Sequence, residues 1–223
     1  MSLRPLCLLP LLLPLPALAS DMADGGSCRN GAFPSEQGNF AQAKVIGAQR
    51  LYLLDDMNGC PAKGEPACRH GTYVVTGDTV ISGRDLGGYR CVFFPNKVGG
   101  SAGWVDRTRL QTLPTRTPAL KDWAGHWRNG DDSLVIRVQG NALQVDGDAY
   151  WPSANPTLEQ RPGGPNLGQV AASAVPTGAT VVFREDTCEV RAQWLDDTLL
   201  VADNAECGGM NVRFNGVYRL KQR

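Results

Sequence analysis

Enzyme sites commonly use residue types that this chain has in short supply. The 223 residues include only two histidines, His70 and His126, which stand far apart in the sequence. No Cys-x-x-Cys pair is present, which argues against a thioredoxin-type redox centre, and four closely spaced zinc ligands are missing as well. Phosphate-binding and dinucleotide-binding glycine motifs are also absent, so the sequence gives no sign of a nucleotide-dependent enzyme.

Charge of one sign is not in excess either. The chain carries 22 basic and 22 acidic residues, so its formal net charge is zero. This balance gives no electrostatic reason to expect nucleic acid or an anionic membrane surface as a partner. Helical periodicity is missing over any stretch of three turns, which leaves β-strands as the expected regular structure.

Pairs of aspartates occur at 55–56, 131–132, 146/148 and 196–197. General acid–base catalysis needs carboxylates whose surroundings move their pKa values apart. These pairs fall at expected turns, where Asp commonly caps backbone groups and solvent screens its charge. We therefore interpret them as turn residues.

One long apolar run is present, at the amino terminus. It follows Arg4 and ends with the small residues Ala17 and Ala19, which is the pattern of a secretory signal peptide over residues 1–19. The run is too short and too rich in proline for a good membrane-spanning helix, which needs roughly 20 apolar residues. We therefore expect a periplasmic or secreted protein with no later segment that enters a membrane.

Export decides how the cysteines are interpreted. In an oxidising compartment thiols tend to form disulfides, and an even number is needed if all of them pair. Of the seven cysteines, Cys7 would leave with the signal peptide. The remaining ones are Cys28, Cys60, Cys68, Cys91, Cys188 and Cys207.

The spacing of these cysteines predicts two disulfides. Cys60 and Cys68 flank a turn rich in Pro and Gly, which favours a local disulfide over a metal or redox site. Cys188 opens a predicted strand, and Cys207 follows after one further strand, so a second disulfide is expected there. Cys28 and Cys91 are left to pair, although sequence alone cannot fix their connectivity.

Short apolar runs separated by turn residues fill the rest of the chain, as is typical of β barrels and sandwiches. They form two series, at 45–113 and 123–223, on either side of a Pro-containing linker at 114–122. Residues 20–44 read as an N-terminal extension tied down by its cysteine. The fold is therefore predicted to be mostly β, a barrel followed by a small disulfide-bonded antiparallel β barrel or sandwich.

Two glycines predict turns within these series. Gly77, followed by Asp78, divides two apolar runs and predicts a hairpin. Gly147 predicts that the segment 141–151 turns back on itself. Trp194, Phe214 and Tyr218 lie within apolar alternation and are expected in the core.

Four stretches of the first series stand out: "LYLLDD", "YVVTGDTVISG", "GGYRCVFF" and "SAGWVDRTRL". Through them the region of about 45–113 resembles a bacterial SH3-like domain. This resemblance implies a small five-stranded barrel that binds cell-wall peptide or a protein partner, and the region departs from the family at the cysteine-bearing loop 59–71. Four aromatic residues at positions that resemble groove or core sites are the candidate ligand-binding residues: Tyr52, Tyr73, Tyr89 and Trp104.

The second series ends with the stretch "NAECGGMNVRFNGVYR". Through it the segment 188–220 is similar to the closing part of small periplasmic β domains, some of them attached to lysozyme-inhibitor-like proteins. It implies an alternative function as an inhibitor or immunity protein against a wall-degrading enzyme. The "GGMN" stretch is then either scaffold or an exposed inhibitory loop.

The sequence therefore predicts an exported, non-enzymatic binding protein of the bacterial envelope. The expected ligand is cell-wall material or another exported protein, with no cofactor, metal or nucleic acid. An inhibitor or immunity protein remains an alternative within the binding class. A hydrolase with an unrecognised site remains the alternative from another class.

Overall fold

A computed structural model describes residues 27–33, 40–96 and 99–222. The expected signal peptide at 1–19 lies outside these residues. The described chain is mostly β, with fifteen strands, which confirms the predicted fold class. Its α-helix covers only four residues, and no helix in these ranges is long and apolar enough to cross a membrane.

The first sheet has seven strands: β1 (Ala41–Val45), β2 (Leu51–Leu54), β3 (Arg69–Val74), β4 (Thr79–Leu86), β5 (Tyr89–Phe94), β6 (Ser101–Asp106) and β7 (Leu110–Thr112). Their order across the sheet is β3-β2-β6-β5-β4-β1-β7, and all pairs are antiparallel. A 3-10 turn, Arg107–Arg109, lies between β6 and β7 in the chain.

The second sheet has eight strands and is preceded by a short helix. These elements are α1 (Leu120–Trp123), β8 (Gly125–Asn129), β9 (Asp132–Gln139), β10 (Ala142–Trp151), β11 (Asn166–Ala174), β12 (Thr180–Glu185), β13 (Cys188–Leu195), β14 (Thr198–Asp203) and β15 (Gly216–Gln222). The strands are antiparallel in the order β11-β10-β9-β8-β15-β14-β13-β12, and the sheet is nearly barrel-shaped. The backbone N–H of Ala171 on β11 donates to Glu185 Oε2 on β12 at 2.7 Å, so a side chain bridges the two edges.

Large aromatic side chains fill the inside of the second sheet. Strict alternation of inward and outward residues, clearest on β10, turns the apolar set to one side. The prediction that Trp194, Phe214 and Tyr218 belong to the core is confirmed. The fully buried aromatic residues of this core are Trp123, Trp127, Trp194, Phe183, Phe214 and Tyr218.

The hairpin predicted at Gly77 and the turn predicted at Gly147 are both wrong. Gly77 does lie in a turn, but β3 pairs with β2 while β4 pairs with β1 and β5, so no hairpin forms. The backbone groups of that turn instead bond to Val45, since Gly77 N donates to Val45 O at 2.9 Å. Gly147 lies inside the continuous strand β10, where a Cβ would stand 2.6 Å from Leu134 Cδ2. Glycine serves close packing there rather than a turn.

The ends of the predicted segments also differ from the structure. β1 begins at Ala41, inside the expected extension at 20–44, because Ala43 and Val45 alternate with polar residues and enter the core. The expected linker at 114–122 contains the start of α1. Within it, Arg116 Nη1 pairs with Asp122 Oδ2 at 2.7 Å, and its guanidinium lies 4.4 Å from the centre of the Trp194 ring.

The two sheets pack against each other. Gln193 on β13 holds the backbone of Phe40 at both ends, since its Nε2 donates to Phe40 O at 2.7 Å and its Oε1 accepts from Phe40 N at 3.3 Å. Apolar residues of the second sheet, Leu195, Leu200 and Val217, join the core of the first. One face of the first sheet, which we call its outer face, is therefore partly covered by the second sheet.

Candidate functional site

Three disulfides join the pairs that the sequence predicts: Cys28–Cys91, Cys60–Cys68 and Cys188–Cys207. They fit an extracytoplasmic protein, because such bonds persist in oxidising compartments. Within the described ranges, no three His, Cys, Asp or Glu side chains come together in a way that could hold a metal ion. The cysteine loop is therefore a clamp, and its place on the first sheet determines what remains exposed nearby.

The four predicted ligand residues lie on one face of the first sheet. Tyr52 is directly opposite Tyr73, and Trp104 is directly opposite Cys91, two residues from Tyr89. Leu54, two residues from Tyr52, is directly opposite Trp104, and side chains two apart on a strand point to the same side, so all four share the outer face. They differ in burial, however, and this decides which of them a ligand can reach.

Trp104 is completely buried and belongs to the core. The Cys60–Cys68 loop and the segment held by Cys28 pack over it, and the Arg84 guanidinium lies 4.9 Å from its ring centre. A ligand therefore cannot reach Trp104 in this conformation. Tyr89 is half-buried, with its hydroxyl close to Gly64 of the clamped loop.

Tyr52 and Tyr73 remain accessible, and they contact each other and two arginines. The two ring centres lie 5.7 Å apart at an angle of 59°. The Arg69 guanidinium lies 4.1 Å from the Tyr52 ring centre, and the Arg50 guanidinium lies 4.4 Å from the Tyr73 ring centre. Each arginine thus covers the tyrosine of the neighbouring strand. We call Arg50, Tyr52, Arg69 and Tyr73 the tyrosine patch.

The tyrosine patch carries net positive charge. Arg69 Nε pairs with Glu65 Oε1 at 2.5 Å, whereas Arg50 has no carboxylate partner in the described part of the chain. A hydrogen bond with Tyr52, helped by the nearby Tyr73, raises the pKa of the Arg50 guanidinium, which is charged at neutral pH in any case. Sequence reasoning named the two tyrosines but missed the arginines, because contact across strands depends on register.

The patch borders an open sheet edge. Among the described strands, β3 pairs only with β2, so its other side is left without a neighbour. The strand is largely exposed, including His70 and Gly71. An edge of this kind can accept an extended peptide as an additional strand.

The Gly-x-Ser-x-Gly spacing occurs at 99–103, where sequence reasoning found none. Ser101 begins β6 opposite Phe94, so a strand follows it and not the helix that a nucleophile turn requires. Its hydroxyl accepts a bond from Asn96 Nδ2 at 3.4 Å, and no hydrogen bond joins it to a histidine among the described residues. His70 and His126 lie in different sheets.

The aspartate pairs mostly serve structural roles, but Asp146 and Asp148 lie within the continuous strand β10, so their placement at a turn is wrong. Asp131 accepts from Ala154 N, Asp56 pairs with Arg29, and Asp146 pairs with Arg137. Asp132 differs because it is partly buried, and desolvation raises its pKa to about 6 despite a hydrogen bond from Tyr150 N. This carboxylate stands beside the buried Tyr218, whose own pKa is raised by burial and by nearby carboxylates.

Asp132→Asn is expected to stabilise the protein at pH 7 by about 1 kcal/mol, after discounting for partial exposure. The pKa of Asp132 is raised from 3.8 to about 6 in the folded state, so its contribution is most favourable below pH 3.8 and is lost as pH rises through about 6. Asparagine keeps the acceptor for Tyr150 N. The gain should therefore disappear in acid, as measured by urea unfolding across pH, and Asp186→Asn on an exposed turn is the control. A gain that does not vary with pH would contradict this assignment.

The "GGMN" stretch combines scaffold and exposed surface. Gly208 forms a bridge with Gly168, and Gly209 N donates to Leu167 O at 2.9 Å, which ties the stretch to β11. Met210, by contrast, is 77% exposed. Its carbonyl accepts from Asn166 Nδ2 at 2.6 Å, which holds the exposed side chain on an ordered backbone.

Exposed apolar side chains lie on this stretch, on the adjoining strands β10 and β11, and on the loop that joins these two strands. We define the apolar rim as Trp151, Leu158, Leu167 and Met210, with Leu158 the most exposed of them at 79%. Arg161 orders it, because Nη2 donates to Asn166 Oδ1 at 2.5 Å and the guanidinium lies 5.8 Å from the Trp151 ring centre.

Comparisons with known proteins give no relative for this chain. No family model, curated protein or solved structure matches it. The resemblances to SH3-like domains and to lysozyme-inhibitor-like proteins therefore stay predictions from short motifs. The geometry of the sites is the basis for assigning a function.

Proposed function

We propose that the protein is an exported, non-enzymatic binding protein of the bacterial envelope. Its SH3-like module would recognise an extended acidic peptide, as part of cell-wall material or of an exported protein. The tyrosine patch is the observation that carries this proposal. The exposed ring of Tyr73 and the half-buried ring of Tyr52, each beside a guanidinium, supply apolar contact area and positive charge in one place.

The surroundings of the patch support a peptide rather than a compact ligand. The open edge of β3 offers backbone donors and acceptors beside the patch. The uncompensated charge of Arg50 suits a carboxylate, since guanidinium–carboxylate bonds are strong and directional. The clamp Cys60–Cys68 lies between β2 and β3 and limits movement of their connection, which lowers the entropy cost of binding.

Binding should depend on exposed members of the tyrosine patch. We expect Arg50→Gln/Tyr73→Ala to weaken binding of soluble wall stem peptides by about tenfold or more, because it removes a ring and the cation that covers it. Fluorescence titration and calorimetry would measure this. Tyr150→Ala, on the second sheet, is the matched control and should bind normally. Retained affinity in the double variant would contradict the assignment of the site. If wild-type protein binds neither stem peptides nor acidic peptides, the proposed function is wrong.

A function as an inhibitor or immunity protein is the second candidate, and the apolar rim favours it. Met210 and Leu158 are among the most exposed large apolar side chains of the described residues. Ordered, protruding apolar residues commonly mark protein contacts. A wall-degrading enzyme would then meet the rim, on a different sheet from the tyrosine patch.

A further inference from the structure

A cleft of about 410 Å³ opens where the two sheets meet. Strands β8 and β15 form one side of it, and Asn96 and Gly99, which follow β5, form the other. Three of its lining side chains are cationic, Arg128, Arg219 and Lys221, and none of the described residues that line it carries a carboxylate. Positive charge of this density is unusual for a chain whose overall net charge is zero.

Strand register brings these cations together. Arg128 on β8 stands directly opposite Arg219 on β15. Like charges directly opposite on antiparallel strands are destabilising, so this pairing is not explained by stability. The register shifts between Leu220 and Gln222, which makes Lys221 the extra residue of a β-bulge. Bulges redirect a side chain, and here the bulge residue lines the same cleft.

The three cations have no carboxylate partner among the residues that the structure describes. Arg128 Nη2 donates to the backbone oxygen of Asp131 at 3.2 Å, and within the described ranges none of the three forms an ion pair. Other arginines of the chain do have carboxylate partners: Arg29, Arg69, Arg90, Arg116, Arg137, Arg184 and Arg213. The three cleft cations differ from these arginines in having no such partner among the described residues, although Arg219 also borders a pocket that Asp196 and Asp197 line.

An amide and a glycine complete the site. Asn129 also lines the cleft, and a Cβ at Gly216 would lie 2.2 Å from Asn129 Nδ2. Any other residue at position 216 would displace that amide. The glycine therefore allows a hydrogen-bond donor to stand beside the three cations.

We propose that this cleft binds a multiply charged oxyanion of the phosphate class. Two guanidiniums present planar pairs of donors that match phosphate oxygens, and Lys221 adds a point charge. A single carboxylate would offset only one of three positive charges, whereas a pyrophosphate group offsets all of them. The ligand also removes the repulsion between Arg128 and Arg219, so binding stabilises the junction of the two sheets.

Calorimetry with inorganic pyrophosphate at low ionic strength tests the proposal. We expect wild-type protein to bind, and Arg219→Gln/Lys221→Gln to bind at least about tenfold more weakly, since each charge-assisted bond contributes about a factor of ten. Lys44→Gln, which removes an exposed strand lysine on β1, should bind like the wild type. The melting temperature of the double variant without ligand should be equal or higher, because like-charge repulsion is removed.

Four results would overturn the proposal. They are absence of wild-type binding, unchanged affinity in the double variant, an equal loss in Lys44→Gln, and citrate binding as tightly as pyrophosphate. The last would show a general polyanion site rather than one for phosphate. Arg50→Gln/Tyr73→Ala should leave pyrophosphate affinity unchanged, so this test is independent of the proposed function.

Discussion

Cys28→Ala/Cys91→Ala is expected to lower the free energy of unfolding by about 4 kcal/mol. The disulfide joins residues 63 positions apart, so the reduced chain gains much more freedom when it unfolds. It is also the covalent anchor of residues 27–33, which cover the outer face of the first sheet. Phe33 in this segment stacks on Phe93 with ring centres 5.6 Å apart, and this contact weakens without the anchor.

Chemical unfolding of the oxidised protein would measure this loss, with Cys60→Ala/Cys68→Ala as the control. That disulfide spans only 8 positions, and its removal should lower the free energy of unfolding by about 2.5 kcal/mol. Binding of a hydrophobic dye should rise in the first variant, because Trp104 becomes accessible. Equal losses in both variants would show that the N-terminal segment is not an integral part of the first sheet.

Gly208→Ala is expected to lower the free energy of unfolding by about 3 kcal/mol. A Cβ at this position would lie 2.5 Å from Gly168 Cα and 2.6 Å from Leu167 O. Both neighbours are backbone atoms of β11, so no side chain can move aside to relieve the clash. Gly163→Ala is the matched control, because a Cβ there meets nothing within 4 Å, and its thermal melting should match the wild type. A neutral Gly208→Ala variant would contradict the scaffold role of the "GGMN" glycines.

Met210→Ala tests whether this side chain of the same stretch stabilises the fold or serves as a contact surface. This side chain is 77% exposed, so its removal should leave the melting temperature unchanged. If the apolar rim is the contact surface for a wall-degrading enzyme, Met210→Ala/Leu158→Ala should weaken inhibition of that enzyme. Full inhibition by the double variant, or none by the wild-type protein, would leave the tyrosine patch as the better supported site.

Local sequence features determined the fold class and the disulfides. Alternating apolar residues and frequent turn residues are enough to indicate β-strands, since side chains of a strand point to opposite faces in turn. The same alternation placed Trp194, Phe214 and Tyr218 in the core. The count of cysteines and the sequence around them indicated the three pairs that the structure contains.

Strand pairing was not determined by these local features. A glycine looks the same in sequence whether it permits a turn or leaves room for a neighbour, and this is why the sequence predicts a turn at Gly147 where the structure has a strand. The pair Gly77-Asp78 does form a turn, yet Val45 takes its backbone bonds and no hairpin results. Which strand lies beside which depends on contacts between residues far apart in the chain.

The candidate sites show this limit most clearly. Tyr52 and Tyr73 could be named from the sequence, but the arginines that cover them come from register across β2 and β3. Trp104 could be named too, and only the packing of the segment held by Cys28 decides that it is buried. The phosphate cleft had no sequence signal, because Arg128 and Arg219 become neighbours only when β8 and β15 pair. The sequence alone tells which side chains each strand carries. The tertiary structure decides which strands become neighbours and therefore which side chains meet, because no interaction within a strand specifies its pairing with residues far along the chain.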